Sequence, residues 1–484
     1  MDPVKPATRA SAATAPRGLS ITLALIAVLA CAGCHAWALF TGPGNFNGDA
    51  PWYLGVARAL HDGVWPPDDV VSPLCRPIGF PALLALLMTF TGSANEQVWP
   101  LVVALNSLAF GLAVWLVGRI VLRLLPVPDG ERRSWWPPIA AALLVALNHN
   151  FSGPLTGRLV FTEHLVVALV VGFALACLRL HERHTIGRSV VAALLGAAML
   201  HVRVDLAPLV VVGLAVVWWL DTSTATTVRR RALAPVLALL LLLPSSLVVS
   251  LQVGRPVFVT ATSLVGGSYG LLQWGTALSV SPDEWQRITW FAELEDDELE
   301  RALADHTPEQ RERALDLLRR HRESWSHDVE AGLMELARER MYADPLRYWI
   351  GLPLWRGVRL WWSEQPIADD DPLLGLKRVW FAACTPLVFA AFVASLWVLV
   401  SRLRRPDAMW LLAAIVVMRT FSIVGAGMLT GYGLYETRYL ECVQPLAIVL
   451  LVLLAASVAR TMLSRRSAPP ASPAPAALPP PDGT

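Results

Sequence analysis

Apolar residues in this chain fall in long blocks, not in the alternating or helical stripes of a water-soluble fold. Blocks of about 20 apolar residues match the hydrocarbon core of a bilayer, where a helix satisfies its own backbone hydrogen bonds. The pattern predicts an all-α polytopic membrane protein of about ten spans, the first over 19–41 and the last over 439–462. A shorter apolar stretch, Pro77–Phe90, lies between Arg76 and the polar segment Thr91–Gln97. Its length suits a helix lying along the membrane interface better than a span. Dense charge is confined to Gly254–Gly375. There, Glu309–Glu323 and Trp325–Met341 show helical spacing, and Pro345–Trp362 combines Trp349, Trp355, Trp361 and Trp362 with arginines. That last composition suits an interfacial helix.

Composition sharpens this picture. Of 484 residues, 55% are hydrophobic and only 16% charged, against roughly a quarter charged in a soluble domain. A net charge of +2 leaves no nucleic-acid footprint. Of the six cysteines, all but Cys75 sit in apolar segments and read as small packing residues, the Cys31/Cys34 pair included. Residues 1–18 and 467–484 are Pro/Ala-rich and read as disordered tails, and the first apolar run reads as an uncleaved span.

Charge placement gives the topology. Alternate connections are rich in arginine: Arg119, Arg123, Arg132 and Arg133; Arg179, Arg183 and Arg188; Arg229, Arg230 and Arg231; Arg402, Arg404 and Arg405; then Arg460, Arg465 and Arg466. Under the positive-inside rule these connections and both termini are cytoplasmic. The chain then divides into a tail (1–18), a first membrane module (19–253) containing an outer loop (41–97), an extracytoplasmic helical region (254–375), the last membrane helices (376–463) and a second tail (467–484).

The opposite side collects a second population of charge. The first outer loop brings Asn47, Asp49, Tyr53, Arg58 and Arg76. Later outer connections bring His149, Arg158, Glu163 and His164, then His201, Arg203 and Asp205, and finally Tyr432, Tyr435, Glu436, Arg438 and Glu441. Ionisable residues at that depth are costly unless paired or facing a wet cavity. Arginines there suit a lipid-linked phosphate, and a carboxylate beside them suits deprotonation of a hydroxyl acceptor.

These residues also carry a resemblance. The run Gly48–Leu54, followed by Ala57–Leu60 and Gly63, resembles the first outer loop of GT-C glycosyltransferases, in the bacterial branch similar to protein mannosyltransferases and aminoarabinose transferases. Arg76–Pro81, Thr162–His164, His201–Asp205 and Glu436–Leu440 resemble further motifs of that family, in order, across residues 47–441. The resemblance implies a GT-C-like bundle in a bacterial inner membrane, with its active site on the outer face. It implies transfer of a sugar from a polyprenyl-phosphate donor to an extracytoplasmic glycan, lipid or protein hydroxyl, with Asp49 as general base. Tyr53, Arg76, Glu163, His164, Arg203, Asp205 and Arg438 are the implied substrate-binding residues. The chain departs from the family at Ala50, where a second acidic residue is common, and at His164, where proline is usual. Some members use a divalent metal; no ligand spacing for one is present here, and none is assigned. Two other functions stay open at this point: an outer-face polysaccharide polymerase or ligase, and a non-enzymatic transporter or flippase.

Overall fold

The computed structural model describes residues 17–41, 50–64, 77–92, 98–125, 134–148, 162–220, 228–253, 256, 303, 306–323, 326–362, 374–430 and 438–467. Every regular element among them is helical: α1 (Arg17–Thr41), α2 (Ala50–His61), α3 (Gly79–Thr91), α4 (Trp99–Leu124), α5 (Trp136–Ala146), α6 (Glu163–Glu182), α7 (Ile186–Val202), α8 (Ala207–Leu220) and α9 (Val228–Val253). Then come α10 (Pro308–Glu323), α11 (His327–Ala343), α12 (Leu352–Trp361), α13 (Leu374–Ser401), α14 (Ala408–Thr430), α15 (Arg438–Glu441) and α16 (Gln444–Ser467). Among the described residues, seven helices are long and apolar enough to cross a membrane: α1, α4, α6, α9, α13, α14 and α16. The remaining expected spans are the shorter apolar helices α5, α7 and α8, and Gly79–Thr91 is the short helix expected at the interface. The chain is a multi-pass membrane protein. Its outward faces agree: Ile21, Leu25 and Leu29 of α1 and Leu239, Leu243 and Leu247 of α9 are all exposed, which only lipid would tolerate in bulk.

Helix ends follow local chemistry. Pro100, Pro137 and Pro138 sit in first turns, where a missing N–H costs nothing. The Thr185 hydroxyl caps α7 by accepting the Arg188 N–H, and Asp407 caps α14 by accepting the Met409 and Trp410 N–H groups at 3.0 and 3.1 Å. Gly92 ends α3 in the left-handed conformation at φ 64°.

Consecutive spans run antiparallel. At one end Arg123 of α4 makes a bidentate pair with Glu182 of α6, Arg402 pairs with Asp407 between α13 and α14, and Trp219 of α8 meets Trp410 of α14 edge-on. At the other end, Leu147 after α5 offers its carbonyl to the Trp380 indole of α13 at 2.7 Å, and Asn148 donates to Gln444 of α16 at 3.3 Å. Between the ends, small residues let helices close. At Gly111 a Cβ would lie 2.9 Å from the Ala27 carbonyl oxygen and from Cys31 Cβ, so α1 and α4 touch backbone to backbone there.

Helix length sets where the second end lies. The 11 residues of α5 and 14 of α8 reach about 16 and 21 Å, against about 30 Å of hydrocarbon. The 23 residues of α14 continue about 16 Å beyond its midpoint. The turn between α7 and α8 therefore meets α14 near its midpoint, at Arg419.

Candidate functional site

Four charged residues meet there, from the start of α6, the turn between α7 and α8, and the middle of α14. Glu163 opens α6, its carboxylate in a first turn where the helix dipole favours negative charge. Arg203 ends α7 with extended backbone (φ −150°, ψ 113°), and a single 3₁₀ turn, Val204–Leu206, leads into α8. That turn follows Arg203 and carries Asp205, two residues on. Arg419 comes from the middle of α14.

Their geometry is one network. Arg203 donates from Nε to Asp205 Oδ1 and from Nη2 to Oδ2, both at 3.1 Å, a fork that fixes the guanidinium plane. Its Nη1 reaches Glu163 Oε1 at 3.4 Å. Arg419 donates from Nη2 to Asp205 Oδ2 and from Nη1 to the Asp205 backbone carbonyl, each at 2.7 Å. Glu163 is 5% exposed and Arg419 1%, whereas the Asp205 side chain keeps 42% of its surface open. The cluster therefore has a dry inner wall and an open rim at Asp205. Packing around the turn would raise the Asp205 carboxyl, but the Arg203 and Arg419 guanidiniums outweigh it and hold it well below the usual carboxylate range. Glu163 Oε2 is buried with no hydrogen-bond partner among the described residues. An acceptor left unmade in such a place costs about 1–3 kcal/mol, so it is suited to a donor arriving with a ligand.

The start of α3 seats beside this cluster, against the last turn of α7. A Cβ on Gly79 would lie 2.8 and 2.9 Å from the carbonyl carbon and Cβ of His201, so only glycine lets α3 begin against the last turn of α7. Next to it, Phe80 is fully buried and packs edge-on against Tyr53 of α2, centroids 5.2 Å apart. The His201 ring meets the Leu241 carbonyl at 3.3 Å, in the stretch of α9 that Pro244 loosens.

The substrate-site residues named from sequence divide as follows. Glu163, Arg203 and Asp205 come together directly. His164 is fully buried and stacks on Phe110 at 5.5 Å, a wall position behind Glu163. Tyr53 is buried one helix away. Asp49 and Arg76 lie outside the described residues, one before α2 and three before Gly79. Arg438 opens the short α15, but its side chain also lies outside them; so do His149, Arg158, Tyr432, Tyr435 and Glu436. Sequence reasoning missed Arg419. The available signal was its isolation, as the sole charge between Asp407 and Glu436. Among the described residues, no three His, Cys, Asp or Glu side chains converge as metal ligands.

No protein-family model and no curated protein matches the chain by sequence. A solved structure does match in shape. It is ArnT from Cupriavidus metallidurans bound to undecaprenyl phosphate, at 15% identity over 95% of this chain and 82% of that one, with a TM-score of 0.36. A likeness that weak carries no argument about this chain's fold or chemistry.

Proposed function

We propose that the protein is an integral-membrane glycosyltransferase of GT-C type, moving a sugar from a polyprenyl-phosphate donor to an extracytoplasmic hydroxyl. The observation that carries the reading is the Glu163–Arg203–Asp205–Arg419 network part-way up α14, with α3 seated beside it on the last turn of α7. Charges held this way inside a membrane protein mark a site that handles polar substrate at bilayer depth. A donor with a lipid tail and a sugar-phosphate head needs both an apolar flank and such a floor.

In this reading the acceptor oxygen attacks the anomeric carbon as its proton passes to Asp49. The carbon–oxygen bond to phosphate breaks with its electron pair, and polyprenyl phosphate leaves. Phosphate is a good leaving group, so cationic stabilisation replaces a general acid. Arg203 faces the phosphate with Arg76 and Arg438 as its partners, because the four-residue network is itself charge-balanced and needs further cations to hold an anion. Glu163 Oε2 accepts from a sugar hydroxyl, Asp205 lines the open rim, and His164 and Tyr53 brace the walls. The site faces away from the cytoplasm, with both termini inside, as the arginine loops require.

A polymerase or ligase would place its chemistry in the large charged region. Separate substitutions of Arg203 and of Arg356, on α12 of that region, discriminate the two readings: loss of transfer at Arg203 alone supports the glycosyltransferase one. The test is Asp49→Asn: transfer should disappear while expression and membrane insertion survive. Full activity in Asp49→Ala would remove Asp49 as the base.

A further inference from the structure

Arg419 is one of two fully buried arginines among the described residues, with Arg356. It sits about 16 Å up a membrane helix, 1% exposed, with no other charge on α14 above Asp407. An arginine in such a place is costly and persists only with a partner and a use. Both of its terminal nitrogens bind one residue, Asp205, one at the carboxylate and one at the backbone carbonyl. This double grip fixes the 3₁₀ turn and the rotamer of Asp205 together. Asp205 in turn presents both oxygens to Arg203, which is 13% exposed and reaches Glu163. The contacts therefore lead from a buried anchor, which also meets Cys442, through a bridging carboxylate to the Arg203 guanidinium.

We infer that Arg419 is a positioning residue, acting through Asp205 to hold Arg203 in the orientation that meets the donor head group. The inference rests on the glycosyltransferase reading for the word donor, but not for the mechanical link. A lysine cannot replace it, because a single ammonium on a flexible stem lacks the planar fork that grips two acceptors at once. Neighbouring packing ties the same stretch of α14 to α12: the Trp361 indole donates to the Thr420 hydroxyl at 3.1 Å and stacks on Phe392. The anchor is thus set in a well-packed part of the helix.

The experiment is a double-mutant cycle on Arg419→Lys and Asp205→Asn in the full-length protein in proteoliposomes, with hydrogen exchange of residues 203–206 measured in parallel. Each single change should lower kcat/KM for transfer about 10- to 100-fold, as loss of geometry at a bound group does. The double variant should be no worse than the poorer single, because both act on one chain of contacts. Exchange in the turn should rise in both singles while the rest of α14 keeps its protection, which a general folding defect would not do. Multiplicative losses in the double variant, or wild-type activity and exchange in Arg419→Lys, would overturn the inference. If the wild type transfers no sugar, the functional reading fails instead. The exchange data then decide the Arg419–Asp205 link alone.

Discussion

Adding one methyl group at position 79 tests whether the first loop and the Arg203 turn form a single site. Gly79 has no freedom to spare: an added Cβ falls 2.8 Å from the His201 carbonyl carbon and 2.9 Å from its Cβ. Ordinary carbon contacts begin near 3.5 Å, so α3 must retreat by roughly half an ångström or more. His201 cannot swing aside, since the clash is with its backbone and its ring is held at the Leu241 carbonyl. Overpacking of this kind costs about 1–3 kcal/mol. A misplacement of about 1 Å at a reacting pair costs on the order of 100-fold, so half of that predicts roughly a 10-fold loss of kcat/KM for Gly79→Ala. Transfer rates at several donor concentrations, with thermal unfolding of the same preparation, would measure both parts. Gly33→Ala, inside α1 at a position with no atom within 4 Å, is the control and should leave kcat/KM unchanged without lowering thermal stability. A Gly79→Ala protein with lowered thermal stability and undiminished kcat/KM would refute the link between α3 and the Arg203 turn.

Other expectations follow from the same geometry. Glu163→Gln keeps an acceptor for Arg203 but removes the charge from Oε2, so kcat/KM should fall about 10-fold, the difference between a charged and a neutral hydrogen bond; unchanged kinetics would release Glu163 from the site. The Asp205 carboxyl is depressed in the folded state, so its contribution to stability is complete above the unfolded carboxylate range and is lost only as pH falls below it. The stability penalty of Asp205→Asn should therefore be equal at about pH 8 and about pH 5, and a penalty that vanishes at the lower pH would contradict the assignment. Thr420→Val should destabilise by about 1–3 kcal/mol, as it strands the buried Trp361 indole N–H; an unchanged thermal midpoint would count against this.

Most of the fold was legible in the sequence because lipid imposes a coarse rule, long apolar blocks with arginines at alternate ends, and that rule survives without tertiary information. The shortness of α5 and of Gly79–Thr91 was visible for the same reason. Proximity was not. Asp205 and Arg419 are 214 residues apart, and averaged over a window of apolar neighbours one arginine in α14 barely lowers its hydropathy. Its isolation, rather than its number, was the informative feature. Gly79 likewise reads as part of a motif, whereas its physical task is to let two helix ends touch, which no local pattern encodes. Glu163, Arg203 and Asp205 were found because each opens or closes a span, where charge must be accounted for. The 12-residue helix Ala50–His61 buries Ala50, Tyr53, Leu54 and Ala57, a helical spacing present in the sequence beneath the motif.

The most direct measurement is the fate of a labelled polyprenyl-phosphate sugar given to the purified protein in proteoliposomes with a hydroxyl acceptor on the outer face. The account predicts cleavage of the sugar–phosphate bond, with free polyprenyl phosphate released in step with sugar transferred and neither formed by the Asp49→Asn protein. Donor that crosses the bilayer intact, with no polyprenyl phosphate released, would contradict it and make the protein a transporter.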